Sequence, residues 1–147
     1  VSSFVSPKRV PQLADAAEVF ARLPRRPNIR YWALVPNRKG LERALEAGVD
    51  SIAVFTAASE TFNQRNIGMT IAESLDVFRD LIPAARAQGC RIRAYLSMAF
   101  VCPYEGKIAP ERVVPIAAAI CALDVDEVSI GDTLGHAGPE DVARLTE

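Results

Sequence analysis

Histidine and tryptophan are nearly missing: the 147 residues hold one of each, His136 and Trp32. A single histidine excludes a paired-imidazole metal site within this chain. Cysteine is also scarce. Cys90, Cys102 and Cys121 have no C-x-x-C spacing and an odd count, which argues against a disulfide framework and suits a reducing compartment. No apolar run reaches the roughly 18 residues a membrane helix needs. No secretory leader is legible at Val1. Charge of one sign is missing as well, since 17 Lys and Arg face 18 Asp and Glu for a formal net charge of −1. That balance argues against a nucleic-acid or polybasic membrane surface, and Arg25-Arg26 and Arg91-x-Arg93 read as solvated clusters. Glycine-rich phosphate loops are absent, because Gly131 and Gly135 fit neither G-x-G-x-x-G nor G-x-x-x-x-G-K-S. There is no linker and no low-complexity segment. Residues 1–147 read as a single domain, and a chain that is 50 % hydrophobic can build a real core.

What is present is alternation. Apolar runs at Ile29–Val35, Ser51–Ala57, Arg91–Ala99 and Glu127–Ile130 predict buried strands, and Val1–Phe4 predicts a fifth, cut at its front. Helical patterns lie between them. Asp15–Leu23 ends before Pro24. Leu41, Ala44 and Leu45 form a short helix stopped by Gly48. Ile71, Leu75, Phe78, Leu81, Ile82 and Ala85 step by threes and fours, with Thr70-x-x-Glu73 as a capping box and Gly89 as the stop. Pro110 and Pro139 each suit the first turn of a helix. Asp124 stands where other crossovers place glycine and tolerates a left-handed turn.

Strand–helix alternation means parallel strands joined by right-handed crossovers. Five strands fit an open doubly wound sheet or part of an eight-stranded barrel, which usually takes about 250 residues. Polar groups at several successive strand ends favour the barrel, because an open sheet concentrates its site at one switch point. The expected fold is α/β, a partial (β/α)8 barrel with about five parallel strands, the second to the sixth. Without an initiator Met, and with a strand interior at its start, the chain reads as a piece of a longer protein.

Five stretches carry a resemblance in collinear order. They are Val1-Ser2-Ser3-Phe4-Val5-Ser6-Pro7-Lys8 with Val10-Pro11-Gln12, then Pro36-Asn37-x-Lys39-Gly40, Ala57-Ala58-Ser59-Glu60, Cys102-Pro103-Tyr104-Glu105-Gly106-Lys107-Ile108, and Gly131-Asp132-Thr133-x-Gly135. Together they resemble the hydroxymethylglutaryl-CoA lyase family over essentially the whole chain. The Gly-Asp-Thr motif alone is common to related acyl-CoA lyases, synthases and aldolases; the first and fourth stretches are the specific ones. The resemblance implies a (β/α)8 barrel with one Mg²⁺ or Mn²⁺ that cleaves 3-hydroxy-3-methylglutaryl-CoA to acetyl-CoA and acetoacetate. It also implies an Arg-Asp pair on the first strand, an acidic residue just before Val1, His-x-His on the seventh strand, Asn on the eighth and a late cysteine loop. None of these maps onto this sequence, so no metal ligand is assigned here and no complete metal shell is expected.

Asp132 is the catalytic candidate. The resemblance places it at the substrate pocket, as a polar support near the metal rather than a ligand; an Asx turn is the competing reading. Ser3, Arg93, Ser129 and Glu105 are the substrate-binding candidates. Ser3 is one by resemblance. Ser129 reads either as a pocket hydroxyl or as one satisfied inside the barrel. Arg93 alternates with Tyr95 and Ser97 in an apolar strand and needs a partner, such as Asp132 or Glu60, unless it reaches the substrate. Glu105 reads as part of a mouth loop shaping the acyl-CoA site or as a surface ion pair. Cys102 reads as a buried thiol, with nothing nearby in sequence to lower its pKa, and Cys90 and Cys121 read as core. Ser59, Glu60 and Asn37 suit helix caps. His136 reads as an exposed loop residue, Trp32 as a core or helix contact. Lys39 and Lys107 are weak candidates for CoA phosphates.

The expected partner is an acyl-CoA, with no nucleic acid and no membrane, in a homo-oligomer. The Ala- and Arg-rich composition favours the bacterial cytoplasm over the mitochondrial matrix. A sister acyl-CoA lyase or aldolase of the same barrel group, or a non-catalytic assembly fragment with two unpaired sheet edges, are the alternatives.

Overall fold

A computed structural model describes residues 1–146 of the protein. The order of elements is β1 (Ser2–Ser3), a 3-10 turn at Pro11–Leu13, α1 (Ala16–Arg22), β2 (Ala33–Leu34), α2 (Arg38–Glu46), β3 (Ser51–Ala57), α3 (Glu60–Ile67), α4 (Ile71–Ala87), β4 (Arg91–Ser97), β5 (Val101–Cys102), β6 (Gly106–Lys107), α5 (Pro110–Cys121), β7 (Glu127–Ile130) and α6 (Pro139–Thr146). Strands β1, β2, β3, β4 and β7 form one parallel sheet in chain order, and β5 and β6 form a separate antiparallel hairpin.

Strand order decides between the two architectures. A doubly wound sheet reverses its order and carries helices on both faces. Here the order never reverses, and one face of the sheet takes the helices. Side chains alternate along a strand, so Ile52, Val54 and Thr56 of β3 and Ile92, Ala94 and Leu96 of β4 all point to that helical face, each at most 1 % exposed. They pack with Leu75, Phe78, Leu81 and Ile82 of α4 and Val113 and Ile120 of α5 in one core. The opposite face carries Arg93, Tyr95 and Ser97, which are half-buried. Sequential parallel strands with a single helical layer are the arrangement of a (β/α)8 barrel. The expected partial barrel is what the chain forms, and the face with Arg93 is the inner one.

Local signals account for most element ends. Thr70 and Glu73 form the reciprocal capping box of α4, Asn37 Oδ1 caps α2 by accepting from Gly40 N–H at 2.9 Å, and Ser59 Oγ caps α3 by accepting from Phe62 N–H at 3.1 Å. Asp124 adopts the left-handed conformation expected of it, with φ 59°. The strand expected over Ile29–Val35 contracts to Ala33–Leu34. Asn28 turns left-handed at φ 66°, and Ile29 N–H bonds back to Arg26 C=O, so the chain comes out of a turn at 27–28 and residues 29–32 run irregularly before the strand begins. The run expected to reach Ala99 ends at Ser97, because Met98 turns to φ 55°. Cys90 is buried as expected, but Cys121 is exposed, because it lies on the outer side of the last turn of α5, whose Ile120 is the residue that enters the core. Pairing α3 and the β5–β6 hairpin with the sequence is harder, since neither shows apolar periodicity.

Gly40 illustrates how tightly the rim is drawn together. A Cβ there would sit 2.9 Å from the Phe4 carbonyl oxygen and 3.0 Å from Pro36 Cδ. In an open helix, Gly to Ala gains about 1 kcal/mol. Here backbone meets methyl, so the sign reverses. Gly40→Ala is expected to lower stability by about 1–3 kcal/mol, read as a fall in the urea midpoint of the full-length protein; an unchanged or higher midpoint would show that β1 and α2 can part freely.

Candidate functional site

The chemistry-bearing side chains divide between the inner face and the carboxyl-terminal rim. Strand register places Ser3, Leu34, Ala53, Arg93 and Glu127 on one transverse row, and Phe55, Tyr95 and Ser129 on the next inner row above it. Ser3, Arg93 and Ser129 therefore share the inner face. Ser3 and Arg93 are three strand spacings apart, about 14 Å.

Arg93 is held within the wall of the sheet. Its guanidinium lies 4.5 Å from the Trp32 ring centroid and 5.8 Å from that of Tyr95. It donates to Glu127 Oε2 at 2.8 Å and to Tyr95 Oη at 3.1 Å, while its Nε is buried with no partner among the described residues. The Tyr95 hydroxyl, followed by Glu127, raises its pKa further. The expected partners Asp132 and Glu60 are not the ones it finds. Glu127 stands beside it in register on β7, whereas Asp132 lies beyond the end of β7 in the following loop. Glu60 instead caps α4, accepting from Ile71 N–H at 3.0 Å. Trp32 is neither core nor helix contact, because it faces inward to stack on Arg93. Tyr95 was not singled out from sequence, although its two-residue step from Arg93 was the available signal.

Asp132 occupies the rim loop after β7. Its two carboxylate oxygens accept from His136 N–H at 3.1 Å and Ala137 N–H at 2.8 Å, closing a wider loop, four and five residues on, than an Asx turn would. His136 is exposed, as expected. Thr133 Oγ1 accepts from Met98 N–H at 2.9 Å, and Ala99 N–H donates to Gly131 C=O at 3.2 Å. These bonds hold the left-handed Met98 in place and tie the ends of β4 and β7 together.

Glu105, at the turn of the β5–β6 hairpin, is engaged more fully. Its Oε1 accepts from Ser59 Oγ at 2.8 Å and Thr61 N–H at 2.7 Å; its Oε2 accepts from Arg112 at 2.7 Å. With its proton given to Glu105, Ser59 Oγ accepts from the Cys102 thiol at 3.0 Å. Arg112 also reaches Ala58 C=O at 3.2 Å. The expected ion pair is present, to Arg112 rather than on an isolated surface turn, and the half-buried Glu105 carboxylate joins it to the buried Ser59 and Cys102. Cys102 is buried in it, as expected. Lys107 pairs with Asp141 at 3.0 Å.

A cleft of about 480 Å³ opens at the rim above β1, β2 and β3. Leu34, Phe55, Ile67, Met69, Val77 and Phe78 give it apolar walls, and Arg9, Asn37 and Asn66 stand at its polar margin. Among the described residues, no three His, Cys, Asp or Glu side chains converge as a cation site. These residues by themselves therefore make no three-ligand shell of that kind. No described helix is long and apolar enough to cross a membrane.

The family profile described as HMGL-like matches residues 6–147. The chain belongs to the HMGL-like family. It is 48 % identical over 147 residues to the 3-hydroxy-3-isohexenylglutaryl-CoA/hydroxymethylglutaryl-CoA lyase of Pseudomonas aeruginosa, covering 100 % of this chain and 49 % of that protein. It is 45 % identical over 138 residues to the mitochondrial hydroxymethylglutaryl-CoA lyase of Bos taurus, covering 94 % of this chain and 42 % of that one. In three dimensions it matches the crystal structure of the P. aeruginosa hydroxymethylglutaryl-CoA lyase with a TM-score of 0.93, over 99 % of this chain and 48 % of that chain. The lyase of Acinetobacter baumannii, solved with coenzyme A and 3-methylmalate, matches with a TM-score of 0.91 at 35 % identity, over 98 % of this chain and 47 % of that chain. The chain thus spans about half the length of the relatives it matches. HMGL-like proteins are metal-dependent in general.

The Glu105 network sets a pH dependence. Burial pushes its carboxyl up, but the Thr61 N–H, the Arg112 guanidinium and the Ser59 hydroxyl outweigh it and hold the pKa at about 2, against an ordinary 4.5. A depressed carboxyl stabilises the fold above its unfolded pKa and loses that contribution as pH falls through the folded one. The wild-type advantage over Glu105→Gln is expected to be about 1–3 kcal/mol at neutral pH and to shrink from pH 4.5 towards pH 2. Urea midpoints of the two full-length proteins across that range check it; a pH-independent difference would contradict the ionic network.

Proposed function

We propose that the whole protein is a carbon–carbon lyase that cleaves 3-hydroxy-3-methylglutaryl-CoA to acetyl-CoA and acetoacetate. The observation that carries this reading is 48 % identity over the entire chain to a lyase named for that substrate, with the same fold at a TM-score of 0.93. The chemistry is a retro-aldol step. The tertiary hydroxyl on C3 loses its proton and becomes the ketone of acetoacetate. The C2–C3 bond breaks, its electron pair passes to the thioester enolate, and a proton at C2 completes acetyl-CoA. A divalent cation, Mg²⁺ or Mn²⁺, supplies Lewis-acid stabilisation of the developing oxyanion when bound. We assign its ligands outside the described residues, whose donors do not form such a shell.

In this reading the described residues build one wall of the pocket. Ser3, Arg93 and Ser129 face the barrel interior, where a guanidinium and hydroxyls suit the oxygens of a hydroxy-acyl chain. Asp132 supports the pocket from the rim by fixing the loop after β7. The apolar cleft at the rim favours a second reading, a substituent on C3 longer than methyl, and the P. aeruginosa relative is named for both kinds of substrate. The same proposal puts the protein in a bacterial cytoplasm as a homo-oligomer. Relatives from P. aeruginosa and Bacillus subtilis support the source, and size-exclusion chromatography of the whole protein tests the self-association.

The full-length protein with Mg²⁺ is expected to release acetoacetate from 3-hydroxy-3-methylglutaryl-CoA. Folded protein without release would remove the assignment. Asp132→Asn is expected to lower turnover about 10–100-fold, while His136→Ala, which keeps its backbone N–H, stays within about twofold. Equal small effects of both would take the rim role away from Asp132.

A further inference from the structure

Helix α3 has little apolar burial to hold it. Of its eight residues only Asn63 is buried. Its far end nevertheless forms part of the rim cleft, through Asn66 and Ile67, with Met69 just beyond. Phe62 packs against the core, and Asn63 Nδ2 donates to the Met69 and Thr70 carbonyls at 3.2 and 3.1 Å, which ties the end of α3 to the cleft. The β5–β6 hairpin adds an anchor towards each end of the helix. At the start, Glu105 accepts from the Thr61 N–H and the Ser59 hydroxyl, satisfying donors of the first turn. Its negative charge also lies at the favourable pole of the helix. Towards the other end, the Arg65 guanidinium stacks 4.3 Å from the Tyr104 ring centroid. Arg112, at the base of α5, binds Glu105 and the Ala58 carbonyl together, so that α5 backs the hairpin.

We propose that Glu105 is a positioning residue, holding α3 through the hairpin so that α3 forms a fixed wall of the acyl-thioester cleft. It acts through α3, since both of its oxygens already accept from protein donors. The inference rests on the lyase reading for its ligand, though not for its mechanics.

The test uses the full-length enzyme with Mg²⁺ and 3-hydroxy-3-methylglutaryl-CoA. Glu105→Ala is expected to raise KM about tenfold with kcat within about threefold, the pattern of lost substrate binding rather than lost chemistry. Glu105→Gln, which keeps an acceptor oxygen for Ser59 and Thr61, is expected to recover most of that loss. Amide hydrogen exchange across residues 60–67 should quicken in Glu105→Ala and much less in Glu105→Gln. Tyr104→Ala, which spares Glu105, should quicken exchange near Arg65 and raise KM, and it carries the test if Glu105→Ala does not fold. Unchanged exchange in α3 in both alanine variants would overturn the proposal. So would a collapse of kcat in Glu105→Ala and Glu105→Gln alike with exchange unaltered, since that marks direct contact with the reacting groups. Wild-type protein that releases no acetoacetate would remove the lyase reading, while the exchange comparison would still decide the role of Glu105.

Discussion

Side-chain parity along in-register parallel strands is the constraint from which the rest of this molecule follows. Once Ile52 pairs with Ile92, every second residue of β3 and β4 is committed to the helical layer. The residues between are committed to the inner face. A shift of one residue would bury Arg93 among Leu81 and Ile82 and expel Ile92 and Leu96 from the core. The apolar mass of α4 and α5 therefore selects the register, and the register delivers Arg93, Tyr95 and Ser129 to a common surface. Core packing and placement of the polar wall are one decision made by the same strands.

The rim obeys different physics. Ala58, Met98, Ala99, Cys102 and Ile108 carry the core past the strand ends, and a set of hydrogen bonds to backbone groups fixes the loops above them. Thr133 holds Met98, Asp132 closes the turn at Ala137, and Glu105 joins Thr61, Ser59 and Arg112. Each bond is modest by itself, about 1 kcal/mol net. Their strength lies in being shared, since Ser59 caps α3 and also meets Glu105 and Cys102. Removing one member leaves buried donors without acceptors, which is costlier than the bond itself.

Much of the fold was legible from residues alone, and the reason is periodic burial. The runs at 51–57 and 127–130 appear in the structure with the same limits, and the α4 stripe and its capping box are where Thr70 and Glu73 placed them. α3 was not legible, because a helix fixed by polar anchors leaves no apolar period, and only its Ser59 cap hinted at it. The site was legible by residue type more than by geometry. Arg93 was recognised as a cation needing a partner, but a partner across a sheet is set by register, and nothing in sequence reports that Arg93 lies opposite Glu127. Glu105 stood in the right loop with the wrong neighbours in view, since Ser59 and Thr61 are more than forty residues away.

Arg93 also explains what kind of ligand the inner face can accept. A lysine there would need its strongly hydrated ammonium stripped of water with few partners, whereas a guanidinium presents flat faces to Trp32 and edge donors to Tyr95 and Glu127. That arrangement pairs the charge with Glu127 and leaves Nε buried without a partner among the described residues. An unpaired buried donor costs about 1–3 kcal/mol, and apolar packing on the helical face is what allows the strand to carry it. Because the positive charge is already balanced by Glu127, the inner face is not a sink for any anion. It is a polar wall of fixed donors and hydroxyls, and in the proposed lyase reading such a wall would orient oxygens on which negative charge develops.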